Sequence, residues 1–198
     1  NPRVGAVGPA LCYANGRLQH SAFAFPGLVQ ILLDLFPSHP RLLESRINGR
    51  YPRAAYSADR PFQVDMLLGA ALMARGETLA QVGLLDEGYF MYAEELDWCR
   101  RAKQAGWGIE VVPSARVVHH EGQSTRQFRE AMFVALWRSR LRYYQKFEPP
   151  IYVALVRRLV RAGMAWQARR ARSDAAQGRL DPKQVEGRLA GYAEVARL

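Results

Sequence analysis

Three acidic residues fall within four positions of this chain, Glu94, Glu95 and Asp97, directly after the aromatic cluster Tyr89-Phe90-Met91-Tyr92 and directly ahead of Arg100-Arg101. Carboxylates this close repel one another unless a cation, a proton or a helix N-terminus offsets them, so a positive partner is expected nearby. Helical patterning from the acidic cluster to about Ala105, stopped by Gly106-Trp107-Gly108, places all three in a first helical turn. There Glu94 and Asp97 share a face, while Glu95 is turned about 100° away from Glu94. A helix N-terminus favours ionised carboxylates, which suits a general base better than a general acid. The plain structural alternative is an acidic turn that complements the helix dipole and pairs with Arg100 or Arg101 at helical spacing.

Other residues could join such a site. His119-His120 ends a short strand, where successive side chains point to opposite faces, so one of the two can face the carboxylates. A neutral imidazole in that place is a fair ligand for a divalent cation, the alternative being a hydrogen-bonded surface histidine. Asp65 interrupts an apolar run and is costly to bury alone; it is either hydrogen-bonded within the fold or facing a polar cleft. Trp98 and Cys99 read as packing. The chain has no P-loop, no GxGxxG after a strand, no HExxH and no serine or cysteine nucleophile signature.

The elements that must position these residues alternate between strand and helix. Val4-Gly5-Ala6-Val7-Gly8-Pro9 has the composition of a buried strand closed by Gly-Pro, and Asn15-Gly16 marks a hairpin turn before Arg17-Leu18-Gln19-His20. Leu28 to Phe36 suits a short helix ended by Pro37. Residues 37–60, with three prolines and many arginines, read as an exposed excursion of variable or disordered structure. From Val64 to Gly83 the pattern is strand, kink at Gly69, strand and short helix; after the acidic helix come two short strands, Ile109–Val112 and Ala115–Val118, divided by Pro113-Ser114. This alternation predicts an α/β core.

Beyond His119-His120 the chain turns helical. Ser124 or Thr125 is the expected N-cap of a helix to about Phe147 whose buried face would hold Phe128, Met132, Ala135 or Leu136, and Ser139. After Glu148-Pro149-Pro150 a second helix carries two adjacent apolar stripes, Leu155, Leu159 and Trp166 on one and Val156, Val160 and Met164 on the other, with arginines elsewhere around it. Asp181-Pro182 caps a last helix.

Charge divides the chain in the same place. Residues 1–125 are neutral, whereas residues 126–198 carry 16 Lys+Arg against 6 Asp+Glu, the whole of the net +10. That makes a neutral body with a basic helical region suited to an anionic membrane surface. The longest apolar run there, Ile151 to Val156, is far short of the roughly 20 residues that span a bilayer. Nucleic acid is not the expected partner: aromatic residues are interleaved with the basic ones, but no recognisable binding fold accompanies them, and an aliphatic stripe would be wasted on phosphates. Two distant cysteines, Cys12 and Cys99, argue against a zinc knuckle or a disulfide scaffold and make a reducing compartment the default.

The ordered set Val64-Asp65, Gly69-Ala70-Ala71, Arg75, Val82-Gly83, Asp86-Glu87, Phe90, Tyr92, Glu94-Glu95, Asp97, Cys99-Arg100-Arg101, Gly106, Pro113, Val117-Val118-His119-His120 and Ser124 resembles the second half of family 2 glycosyltransferases, above all their rhamnosyltransferase-like branch. The resemblance covers roughly residues 1–147. It implies an α/β fold, the C-terminal acceptor-side part (1–125) of a GT-A type nucleotide-sugar transferase domain, which the basic amphipathic helices read above (126–198) follow. It implies inverting transfer of a sugar, rhamnose by the branch, from a nucleotide-sugar donor to a hydroxyl of a lipid-linked or polysaccharide acceptor in bacterial cell-envelope glycan synthesis, at the inner face of the cytoplasmic membrane.

Carried over by position, Glu95 becomes the general base, Asp65, Gly69, Ala70, Glu94 and Asp97 line the acceptor site, and His119 matches a histidine that reaches a divalent metal, Mg2+ or Mn2+. The main ligands of that metal, in an Asp-x-Asp, would precede Asn1. The chain is accordingly expected to be a fragment without the donor-binding half, inactive alone; the rival reading is a non-catalytic truncated relative that binds membrane or a partner protein. Two departures stand out. Glu95 replaces the usual aspartate, moving the carboxylate by on the order of 1 Å. Leu84-Leu85 replaces a common Gly-Phe, which reads as a packing change.

Overall fold

A computed structural model describes every residue except 38, 59, 121 and 123–127. In chain order its strands are β1 (Val4–Cys12), β2 (Leu18–Gln19), β3 (Ala22–Phe23), β4 (Phe62–Gln63), β5 (Met66–Leu67), β6 (Met73–Ala74) and β7 (Gly108–Val118). The α-helices are α1 (Leu28–Leu35), α2 (Pro40–Leu43), α3 (Arg53–Ser57), α4 (Gly76–Val82), α5 (Glu94–Gln104), α6 (Arg129–Phe147), α7 (Pro150–Ala176) and α8 (Pro182–Arg197). The structure is mixed α/β and divides into two compact units, one comprising Asn1–Pro26, His39–Tyr89 and Glu94–Gln123, the other Gly27–Ser38, Phe90–Ala93 and Ser124–Leu198.

The first unit is organised by β1, whose apolar side chains Val4, Ala6, Ala10 and Leu11 are buried. It lies parallel to β7, with β4 antiparallel on the far side of β7 and with β2 and β6 antiparallel to β1 itself. The Asn15-Gly16 hairpin forms as expected: Tyr13 N–H donates to Arg17 O at 2.9 Å, Gly16 takes φ 78°, and Leu11 faces Gln19. Gly8-Pro9 does not close the strand, and Pro113-Ser114 does not divide β7 in two. Instead the parallel register jumps from Pro9 opposite Val112 to Ala10 opposite Arg116. Two residues that cannot donate to the ladder meet at one bulge, and both strands run on through it.

The stretch 37–60 is also more ordered than its composition suggests. It forms α2, a short 3-10 turn (Arg46–Asn48) and α3. Tyr56 is only 3% exposed, its hydroxyl accepting from Ala22 N–H at 3.2 Å and its ring edge-on to Phe62. Glu44 meets His20, Arg50 and Arg53 at 3.4, 3.8 and 3.1 Å. Long-range partners such as Ala22 and His20 leave no trace in local periodicity.

The second unit is helical, and α1 packs with α7, which in turn packs with α6 and α8. The buried residues of α6 are Val134, Trp137, Ser139, Leu141, Tyr143 and Tyr144; of the expected face Ser139 is buried, Met132, Ala135 and Leu136 are half-buried, and Phe128 is exposed. The expected N-cap at Ser124 or Thr125 lies outside the described residues. On α7 the stripe Val156, Val160 and Met164 is the buried one, joined by Val153 and Gly163. Gly163 lets α1 approach: a Cβ there would lie 2.6 Å from Leu35 Cδ2 and 2.8 Å from Leu35 Cβ, and Leu35 is itself fully buried. Asp34 binds Arg140 at 2.8 Å, and Gln167 Nε2 donates to Leu35 O at 3.1 Å. Among the described residues no helix is long and apolar enough to cross a membrane. Gly163→Val is expected to lower stability by about 1–3 kcal/mol through overpacking against Leu35, measurable as a lowered urea midpoint.

Candidate active site

The chain enters α5 through Tyr92 and Ala93, which hold φ of 66° and 65°. Two successive non-glycine residues in the left-handed region cost about 1 kcal/mol each, strain that surrounding structure must hold in place. Helix α5 itself is amphipathic: Leu96, Asp97, Trp98, Cys99 and Ala102 are buried, and Glu94 and Glu95 sit at the margin.

The three carboxylates have separate fates. Asp97 is fully buried, taking Arg101 Nε at 2.7 Å on Oδ2 and the Tyr89 hydroxyl at 3.3 Å on Oδ1. Arg101 extends the tie, its guanidinium donating to Val82 O and, at 2.8 Å, to Leu84 O. Trp98 Nε1 donates to Gly83 O at 2.9 Å, and Gly83 holds φ 80°. The segment from Val82 to Leu84 is thus pinned to α5 by three carbonyls. Asp97 serves this frame, and its i,i+4 pair with Arg101 is the structural alternative expected of the cluster. Arg100 instead lies over the Phe25 ring, 5.0 Å from its centroid. Leu84 and Leu85 do not make the packing change that their sequence suggests; they are 73% and 53% exposed on the pinned segment.

Glu95 points elsewhere. Its Oε1 is 3.4 Å from Gly69 N, and a Cβ on Gly69 would sit 3.5 Å from Glu95 Cδ, so Gly69, in the exposed turn Gly69-Ala70, lies against the carboxylate. Oε2 of Glu95 and Oε2 of Glu94 are both buried without a hydrogen-bond donor among the described residues. Burial first, and the Glu94 carboxylate second, push the Glu95 carboxyl above its ordinary value, against the pull of the amides of Glu95, Gly69 and Leu96. A carboxylate lifted in this way is a stronger proton acceptor once ionised. Cys99, fully buried one turn on, has its thiol pushed up to about 12 by burial and is inert.

The remaining candidates stand apart from this pair. Asp65 is half-buried and accepts from Phe25 N–H at 3.2 Å, while its own N–H donates to the Tyr51 hydroxyl at 3.0 Å, which ties it into the fold. His119 follows β7, with Nδ1 3.0 Å from Gln19 Oε1 and its N–H donating to Cys12 O at 2.9 Å. No hydrogen bond or ion pair among the described residues joins either of them to Glu95. Nor do three His, Cys, Asp or Glu side chains converge there as a metal site; the described residues alone do not fit a divalent cation. Arg101 and Tyr89, which hold the frame, carry little sequence signal as site residues; the i,i+4 spacing of Asp97 and Arg101 is their only local mark.

No family model matches the chain. Over 129 residues it is 36% identical to the N-acetylglucosaminyl-diphospho-decaprenol L-rhamnosyltransferase of Mycobacterium tuberculosis (strain ATCC 25618 / H37Rv), a stretch covering 63% of this chain and 40% of that protein. Over 80 residues it is 32% identical to rhamnosyltransferase WbbL of Escherichia coli (strain K12), covering 40% of this chain and 30% of that one. An uncharacterized protein of Sinorhizobium fredii, y4gI, is 31% identical over 129 residues, 62% of this chain and 13% of its own length. The chain thus spans about 40% of the length of the mycobacterial relative and less of the others. The resemblance carried by the motif pattern is borne out: the homologues of described activity are rhamnosyltransferases.

Two substitutions on one helical turn should act with opposite sign. Asp97→Ala leaves Arg101 without its buried partner and is expected to cost about 3 kcal/mol in urea unfolding. Glu95 has a folded pKa above its unfolded one, so its ionisation opposes folding: stability falls as pH rises from about 4.3, the unfolded value, through the raised folded value. Glu95→Gln is therefore expected to raise Tm at pH 7, with the gain vanishing below about pH 4. A lower Tm than the parent at pH 7 would contradict this placement of Glu95.

Proposed function

Starting from homology to rhamnosyltransferases, we propose that this chain is the acceptor-side part of an inverting, GT-A type glycosyltransferase, with Glu95 as its general base. The observation that carries the reading is the Glu95 carboxylate: buried, raised in basicity, and with Oε2 lacking any donor among the described residues. A desolvated acceptor oxygen at the margin of a helix is costly unless a ligand donor completes it. A sugar hydroxyl is such a donor. In the reaction its proton passes to Glu95 Oε2 as its oxygen bonds to the anomeric carbon of the donor sugar, and the bond from that carbon to the nucleoside diphosphate breaks. Glu94 Oε2, also without a donor among the described residues, offers a second hydroxyl of the acceptor a place to bind. Gly69 lies beside Glu95, with Ala70 next along the exposed turn, and a side chain larger than alanine at Gly69 would cover the base.

The donor is proposed to be a nucleotide-linked rhamnose and the acceptor a lipid-linked or polysaccharide glycan, in keeping with the names of the mycobacterial and Escherichia coli relatives. Asp97 supports the site through the frame it makes with Arg101, and Asp65 lies in the bend between β4 and β5, ahead of Gly69. A divalent cation would hold the leaving diphosphate; His119 offers its second ring nitrogen, Nε2, and the other ligands would come from outside the described residues. The basic second unit is proposed to keep the enzyme at an anionic membrane face.

In a protein that joins this chain to a donor-binding half, Glu95→Gln is expected to lower nucleotide-sugar turnover by about 10²–10⁴-fold with the fold intact, and Glu95→Asp to retain part of it. Unchanged turnover in Glu95→Gln would remove Glu95 as the base.

A further inference from the structure

Helix α7 presents a single coherent face to solvent. At 100° per residue, Val153, Val156, Val160 and Met164 fall on one side, and all are buried. Ile151, Leu155, Arg158, Ala162, Arg169 and Arg172 fall opposite, and all are exposed, Ile151 at 81% and Leu155 at 42%. Between Pro150 and Ser173 the helix carries six arginines and no acidic residue. The first acid beyond, Asp174, is already paired with Arg179. The outer face therefore starts with two aliphatic side chains in successive turns and continues as a cationic ridge, about 32 Å from Ile151 to Arg172.

We infer that this face is where the protein docks on an anionic bilayer, with Ile151 and Leu155 entering the acyl boundary and Arg158, Arg169 and Arg172 lying along the lipid phosphates. The inference deepens the membrane-peripheral reading above and rests on it. Charge complementarity selects the occupant, since a cationic ridge with no acid of its own suits a surface of negative phosphates, each near-surface arginine strengthening partition roughly fivefold. The aliphatic pair selects a bilayer over a polynucleotide, which has no apolar phase to receive it. No aromatic ring on this face is placed to stack on bases: Trp166 is taken up by Phe36 and Arg170. A helix lying in the interface, apolar at one end and basic along the rest, meets both demands at once.

The test is co-sedimentation of the whole chain with vesicles of phosphatidylcholine, alone or with about a third phosphatidylglycerol, with circular dichroism confirming the fold of every variant. Binding is expected only to the anionic vesicles. Ile151→Asp with Leu155→Asp, and separately Arg158→Glu with Arg169→Glu, should each weaken it at least about tenfold. Arg17→Glu with Arg41→Glu, the same charge change made on exposed residues of the first unit, should alter it by no more than about twofold. If the parent binds anionic vesicles and the α7 variants bind as well as the parent, the face is wrongly assigned while membrane attachment stands. If the parent binds neutral and anionic vesicles alike, or neither, the reading of an anionic membrane surface falls and the face with it. Tight binding of a single-stranded oligonucleotide, lost in Arg158→Glu with Arg169→Glu, by a parent that ignores vesicles would overturn the proposal in favour of nucleic acid.

Discussion

The pair between Asp97 and Arg101 governs the candidate site. An ion pair of this kind is weak evidence for stability, because desolvation offsets much of its attraction, but it is strong evidence for fixed geometry. Here it does more than close on itself, since the guanidinium also collects the carbonyls of Val82 and Leu84, and Trp98 secures Gly83 between them. The start of α5 is thereby locked to the segment before it. With Asp97 consumed in this way, the charge of the cluster that remains for chemistry belongs to Glu94 and Glu95.

That division explains why three neighbouring carboxylates coexist. One is neutralised by a cation and a hydroxyl, and the other two share the helix N-terminus, where amides offset part of their repulsion. The remaining cost falls on Glu95, raised by burial and by Glu94. A fold that tolerates an uncompensated carboxylate, beside two residues in left-handed strain, is spending stability where a reaction would recover it. The chemistry proposed, one proton taken from one hydroxyl, needs a group in this state and little else from this part of the chain.

Much of the architecture is legible in the sequence because it is periodic or punctuated. Asn15-Gly16 makes its hairpin, Gly106-Trp107-Gly108 ends α5, and Pro149-Pro150 separates α6 from α7. The departures share a cause. Pro9 and Pro113 look locally like strand ends, yet each is carried inside a strand because the other sits at the same bulge, a relation over 100 residues that no window contains. Residues 37–60 lack periodicity because Tyr56 and Glu44 are held by partners far along the chain, at Ala22 and His20. On α7, two adjacent stripes are equally apolar, and only packing against α1 and α8 decides which is inside. At the site, the motif pattern picks out Glu95, but its unpartnered Oε2 and raised basicity come from burial in the folded chain, against which the amide of Gly69, 26 residues away, pulls only in part.

The central claim, that Glu95 is a desolvated base held unpaired, is most directly tested by titrating its side-chain carboxyl by carbon-13 NMR, with the signal assigned by its loss in Glu95→Gln. The midpoint is expected clearly above the ordinary glutamate value of about 4.3. A midpoint at or below that value would mean that Glu95 is stabilised as a structural carboxylate, and the assignment of the base would fail.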